Sequence, residues 1–240
     1  MDVHTTNYTL CAMEPIIGED DRVFATIKVT PDYKNILMFI ENLKLKLGLK
    51  NEYDIQCGYE AGCLGYSLYN QLTAAGVKCV ILAPTTMLTP QGVRIKTDMR
   101  DAYMIAQCLS YGGYHVVYIP TETDDSVKEY LRMRNDHKLA LKKIKQQINA
   151  FCIRHGCCYD GTKWTLAHLK WLKKLEITNE LYRETLDEYM ASYEEQETKI
   201  ERYDKRIEEI AEQTKYHDKV KKLECFLGIK THTALSLIVE

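Results

Sequence analysis

One short stretch constrains the fold more than any other: Val77 to Ala83, an almost wholly apolar run bounded by Gly76 and Pro84. Far below the ~18 residues of a membrane span, it reads as a strand. A strand with no polar face needs cover on both sides of its sheet. The neighbouring sequence offers that cover: a helix from about Leu64 to Ala75 precedes it, and a second runs from Asp98 to Tyr111 after the loop Pro84 to Gly92. A short strand near Tyr53 to Tyr59 completes the alternation.

The N-terminal part fits the same sheet. Asp2 to Met13 is β-rich, Gly18-Glu19-Asp20-Asp21 offers a turn, and Val23 to Val29 forms the second arm of an antiparallel hairpin. Thr30 as N-cap and Pro31 at the first helical position open a helix. Its apolar residues Ile36, Leu37, Ile40, Leu43 and Leu47 keep a 3.6-residue period until Gly48. A hairpin followed by helix and strand alternation is the order of a ribonuclease-H-like α/β mixed sheet with flanking helices.

After Pro120 the pattern becomes helical. Thr123 to His155 reads as one long helix, with Val127, Leu131, Leu141, Ile144, Ile148 and Phe151 along one face. A second begins near Asn179 and runs past Lys222. In it Leu186, Tyr189, Tyr193, Ile200, Tyr203, Ile207 and Ile210 follow heptad spacing. With a loop at Cys157 to Lys174, the pair predicts an antiparallel coiled-coil arm. Three segments follow: a catalytic-type domain over 1–120, the helical arm over 121–222, and an apolar unit over 223–240 that starts and stops like the opening of a further domain.

The net charge of -2 gives no overall nucleic-acid footprint, but it hides a split. Lys128 to Gln147 carries seven bases against two acids, while Glu180 to Glu212 carries twelve acids against five bases. The first segment can meet phosphates; a solvated face is the plainer reading. Nine cysteines, odd in number and mostly within apolar stretches, indicate free thiols in a reducing cytoplasm. With no membrane segment or export signal, a soluble bacterial protein near the nucleoid is expected.

The chemistry rests on carboxylates. Two-metal phosphoryl transfer needs several of them converging so that two divalent ions about 4 Å apart can stabilise attacking and leaving oxygens. Asp2 lies on the first strand and Glu60 at the C-terminal end of a later one, where α/β sheets place ligands. Asp98 and Asp101 sit three residues apart, on one face of a helix. Taken singly, each is more simply a cap or a surface charge. Order and spacing together point to a metal site.

Asp2-Val3-His4, Tyr59-Glu60-Ala61-Gly62 with Gly65-Tyr66, and above all the block Gly92 to Ala102, containing Lys96-Thr97-Asp98-Met99-Arg100-Asp101, resemble the Asp-Glu-Asp-Asp transposases of the insertion-sequence 110 family. The likeness extends through Val117-Tyr118-Ile119-Pro120 and Leu131-Arg132-Met133-Arg134. It implies a RuvC-like fold and DNA strand cleavage and transfer dependent on Mg²⁺, with Mn²⁺ as a substitute. It also implies DNA and a structured guide RNA as partners, and a dimer or tetramer joined through the arm. The metal-binding and catalytic roles pass to Asp2, Glu60, Asp98 and Asp101. Lys96, Arg132, Arg134, Lys138, Lys142 and Lys145 become candidates for nucleic-acid contact. Two departures stand out. Family members usually have several residues before the first Asp, and they carry a downstream domain with a nucleophilic serine that Ser236 does not match. A C-terminally truncated member is therefore expected, able to bind metal and RNA without completing recombination alone.

Two rival readings share these residues. A Holliday-junction resolvase would use the same carboxylates without strand transfer, and an inactive relic would only occupy nucleic acid. His4 is a candidate partner of the Asp2 carboxylate, though an ordinary strand histidine fits as well. Cys152, His155, Cys157 and Cys158 lack zinc spacing and are explained by helix-end packing. Trp164 and Trp171, seven apart, are expected to pack on the arm.

Overall fold

The computed structural model describes residues 1–16, 18–48, 55–87 and 97–240. The fold is mixed α/β, dominated by helix and with small sheets, and it divides into two compact units, Met1–Ile119 and Pro120–Glu240.

In the first unit the β-rich N-terminus is not one strand. It folds into β1 (Asp2–Val3) and β2 (Tyr8–Glu14), antiparallel, with Asp2 opposite Thr9 and Val3 opposite Tyr8. The reversal falls at Thr5-Thr6, where the His4 N–H donates to the Asn7 carbonyl at 2.9 Å. Small polar residues sustain this turn without Gly or Pro, which is why the sequence pattern runs through it. β3 (Arg22–Val29) continues the sheet antiparallel to β2, placing Lys28 opposite Thr9, with an irregularity at Ala12/Met13. β4 (Gln56–Glu60) and β5 (Lys78–Leu82) pair in parallel, as a chain that crosses over through a helix must. The Met1 amine donates to the Gly58 carbonyl at 2.8 Å, so β4 runs beside β1. That amine is buried, and burial depresses its pKa. Past Met1, a cavity of about 460 Å³ lies between Ala12 and Met13 of β2, Gln56 and Cys57 of β4, and Ile36 and Ile40.

Three helices clad these strands. α1 (Tyr33–Leu47) starts two residues later than Thr30-Pro31 suggests: Asp32 caps it, its carboxylate accepting the Lys34 N–H at 2.9 Å. Gly48, at φ 59°, ends it as expected. α2 (Ser67–Ala74) buries Leu68 and Leu72. α3 (Asp98–Tyr111) has the bounds its sequence predicts, capped by the Thr97 hydroxyl and closed by left-handed Gly112. Leu10, Ile36, Tyr59, Leu68, Leu72 and Ile81 form the core, each 1 % exposed or less.

The second unit is helical. α4 (Glu122–Arg154) and α6 (Glu180–Ala211) run antiparallel: Arg134 meets Asp204, Lys145 meets Glu197, and Phe151 meets Tyr189. The expected loop between them contains a further helix, α5 (Leu166–Lys174). Trp164 and Trp171 pack into the cluster around Ile148, Phe151, Leu172 and Leu186. α6 stops at Ala211 rather than running past Lys222, and α7 (His217–Glu224) begins after a turn. Tyr216 breaks the heptad run: its ring is buried, and its hydroxyl donates to Asp124 at 2.7 Å beside the Lys215–Asp124 ion pair. Residues 223–240 share this core. Ala234, Leu235 and Val239 of α8 (Thr231–Val239) pack with Val127, Leu131, Ile207 and Ile210.

His168, 2 % exposed, accepts the Trp164 N–H on Nδ1 at 3.0 Å, so the ring must be unprotonated there. Trp164 itself has φ 66°, the one positive φ outside glycine among the described residues. Burial, aided by nearby Lys163, lowers the His168 pKa below its ordinary 6.5. The unfolded chain then binds the proton more readily, so this stability is present above pH 6.5 and is lost as pH falls through the lower folded value. We expect the melting temperature of His168→Asn to fall less between pH 7 and pH 5 than that of the wild type. Parallel curves would show that the ring carries no such linkage.

Candidate metal centre

The register of the first sheet sets Asp2, Thr9 and Lys28 in one cross-strand row, so their side chains share a face. α3 packs over that face and brings Asp98 and Asp101 from its first turn. The Asp2 carboxylate lies 3.2 Å from His4 Nε2, and Lys28 Nζ donates to Asp98 Oδ2 at 2.7 Å. Ligand atoms of Asp2, His4 and Asp98 all come within 4.8 Å of one another, the one such metal-competent group among the described residues.

The electrostatics agree with this geometry. Burial raises the Asp2 pKa above the ordinary carboxylate value, and the negative charges of Asp101 and Asp98 raise it further, against the opposing pull of His4. The hydrogen bond and charge of Lys28 lower that of Asp98. Acids in a helix's first turn also suit its dipole, so helix stability alone accounts for part of the placement of Asp98 and Asp101. It does not account for Asp2, which comes from a strand and is only 13 % exposed.

Thr9 adds an independent observation. Its side chain is fully buried in the row between Asp2 and Lys28, and its Oγ1 has no hydrogen-bond partner among the described residues. Such an orphan hydroxyl is costly unless something polar joins it. The Asp2 and Asp98 carboxylates and the His4 imidazole, with Asp101 outside that group but in the same first turn of α3, form a donor set that fits a divalent cation such as Mg²⁺ or Mn²⁺.

The other expected site residues are distributed as follows. Glu60 ends β4, one strand from Asp2, with its side chain exposed; it is not in the 4.8 Å group. Lys96 lies outside the described residues. Cys152, His155, Cys157 and Cys158 form no metal-competent group; the His155 ring packs at a tilt against Phe151 and Tyr182.

The far end of α3 is anchored through Asp21, in the turn between β2 and β3. Its carboxylate accepts hydrogen bonds from Tyr111 at 2.5 Å, Gln107 at 2.8 Å and Tyr103 at 3.2 Å. The Tyr111 contact does most to lower the Asp21 pKa. Neither Asp21 nor Lys28 stands out in the sequence. Their pairings depend on strand register and helix docking, and the one available signal was the alignment of Lys28 with Thr9 once the hairpin is drawn.

No family model matches the chain. A transposase for insertion sequence element IS1533 from Leptospira borgpetersenii is 34% identical over 243 residues, covering 100% of this chain and 68% of the relative. The chain belongs to the insertion-sequence transposases. A putative transposase, y4qE, from Sinorhizobium fredii (strain NBRC 101917 / NGR234) is 34% identical over 131 residues, 54% of this chain and 34% of that protein.

In this transposase chain the basic residues of α4 divide into two groups. Arg134 is committed: its guanidinium grips Asp204 at 2.7 and 3.0 Å, with only 11 % of the side chain exposed. Lys145 pairs with Glu197 at 3.0 Å and sits over Trp164 and Tyr193, Lys128 pairs with Glu240, and Arg132 with Glu129. Two of these pairs, Arg134–Asp204 and Lys145–Glu197, join α4 to α6, so part of the charge split is the two helices neutralising each other. Lys138 and Lys142 are exposed and make no ion pair among the described residues. Among the described residues no helix is long and apolar enough to cross a membrane.

Proposed function

We propose that this chain cuts and joins DNA strands at the ends of an insertion sequence, using a divalent ion held by Asp2, Asp98 and Asp101, with Glu60 completing the set. The observation that carries this is the meeting of Asp2, His4 and Asp98, from the first strand segment and from a helix distant in the chain, next to the row that holds Thr9, whose buried hydroxyl has no partner among the described residues. Kinship with insertion-sequence transposases supplies the reaction class. The antiparallel sheet β1-β2-β3 and the separate parallel pair β4-β5, brought together at the Met1–Gly58 hydrogen bond, support a ribonuclease-H-like, RuvC-like unit. The Lys96-Thr97-Asp98-Met99-Arg100-Asp101 block supports the Asp-Glu-Asp-Asp type of the insertion-sequence 110 family, and with it a structured guide RNA and oligomers joined through the helical pair.

The bound ion would supply Lewis-acid stabilisation of charge on the phosphate oxygens. The residues of the chain hold and tune it. The rigid row of β1 and β2 fixes Asp2, the first turn of α3 presents Asp98 and Asp101 together, and His4 orients the Asp2 carboxylate. Mn²⁺ titration by calorimetry tests this reading: the wild type is expected to bind, and Asp2→Asn to bind at least about tenfold more weakly. Equal binding by the two proteins would place the ion elsewhere.

Lys138 and Lys142 are exposed bases of α4 that no ion pair among the described residues occupies, which leaves them available to phosphates. Replacing both with Gln is expected to lower the salt dependence of binding to a structured element RNA, by about 1.5 in log K against log salt. An unchanged slope would assign RNA contact to another surface.

A further inference from the structure

We propose that Lys28 is a tethered cation that holds the carboxylate cluster together without a divalent ion and competes with that ion for Asp98. The inference rests on the divalent-ion reading above and deepens it by naming the group that sets the site's affinity.

Among the described residues β3 pairs with β2 alone, so Lys28 belongs to an edge strand, where a lysine commonly points into water to block pairing with other chains. Here it does not. Its ammonium reaches across the Asp2–Thr9–Lys28 row to Asp98 Oδ2 at 2.7 Å, although the side chain is half exposed and free to extend outward. The reason lies in local charge: Asp2 and Asp98 meet at one end of the sheet, and the negative charge of Asp101 is felt at Asp2 as well. An ammonium on a flexible stem is a compact counter-charge that can leave, unlike a guanidinium fixed by two parallel hydrogen bonds. The contrast lies within the chain, where Arg134 grips Asp204 through Nε and Nη2 together.

A divalent ion ligated by Asp98 would stand a few ångströms from that ammonium. Two cations so placed repel, and by linkage each weakens the other's hold on the carboxylate equally. Lys28 therefore lowers ion affinity, keeps the site assembled while empty, and is released toward solvent when the ion enters.

The test compares wild type, Lys28→Met, Lys28→Gln and Lys28→Arg by Mn²⁺ titration, and by thermal melting in chelator and in saturating Mn²⁺. Both neutral variants are expected to bind Mn²⁺ about two- to fivefold more tightly, a range set by the worth of a half-exposed ion pair. They are expected to melt lower than wild type in chelator and level with it in saturating Mn²⁺, while Lys28→Arg tracks the wild type. Unchanged Mn²⁺ affinity in both neutral variants overturns the inference and leaves the metal site standing. A melting deficit that Mn²⁺ does not close identifies an ordinary surface ion pair and likewise overturns it. Absence of Mn²⁺ binding in all four proteins removes the metal-site reading itself, and this inference with it.

Discussion

Asp98→Asn is expected to reduce divalent-ion-dependent excision of the element by on the order of a thousandfold, since the loss of one anionic ligand removes several kcal/mol of charge stabilisation. The amide keeps the shape of the side chain and leaves Thr97 to cap α3, so folding is not the cause of the loss. Its effect is electrostatic. The variant removes one of the two carboxylates of the metal-competent group, the one facing both His4 and Lys28. Excision from a plasmid in cells, with melting of the purified variant as a control, checks the expectation. A variant that melts like wild type and excises within about tenfold of it would show that Asp98 is no metal ligand.

Gly58→Val is expected to destabilise the first unit by about 2–3 kcal/mol through overpacking. Even a Cβ at this position would stand 2.7 and 2.8 Å from the methyls of Leu109 and 2.9 Å from that of Leu82. Leu109 belongs to α3, so the strand that ends in Glu60 and the helix that carries Asp98 touch through the missing side chain of one glycine. Valine drives them apart. The melting temperature should fall by roughly 10 °C for a unit of this size, and Mn²⁺ affinity should fall with it as Asp98 moves from Asp2. A variant melting within about 2 °C of wild type would mean that the two leucines can turn aside, and that the spacing of strand and helix does not depend on this position.

How much was legible in the sequence varies by element, for physical reasons. α3 could be drawn residue for residue because both ends carry local chemistry, a threonine cap and a left-handed glycine, and neither depends on the rest of the fold. The four acids were likewise visible as a spaced pattern. The structure brings Asp2 and Asp98 together and sets Glu60 one strand away. What failed was whatever depended on partners. The Thr5-Thr6 reversal lacks the usual turn residues, so Asp2 to Met13 read as one strand. The heptad pattern reads to Ile210 and the helix was expected to run past Lys222, but α6 stops at Ala211, and Tyr216, buried and held by Asp124, caps the start of α7 instead. The basic run on α4 was visible as charge, yet only α6 reveals that Arg134 and Lys145 are already occupied. Lys28 and Thr9 matter through a register that no spacing rule displays.

The three hydrogen bonds collected by Asp21 carry a consequence for engineering. Hairpin tips are ordinarily where a protein tolerates extra residues, since nothing beyond the tip depends on their length. Here the tip acts as a ruler, because its last residue is moored to successive turns of the helix whose opposite end bears Asp98. Lengthening that connection would pull the mooring away from Tyr103, Gln107 and Tyr111, and a change made at the periphery would be felt as slack at the acidic cluster.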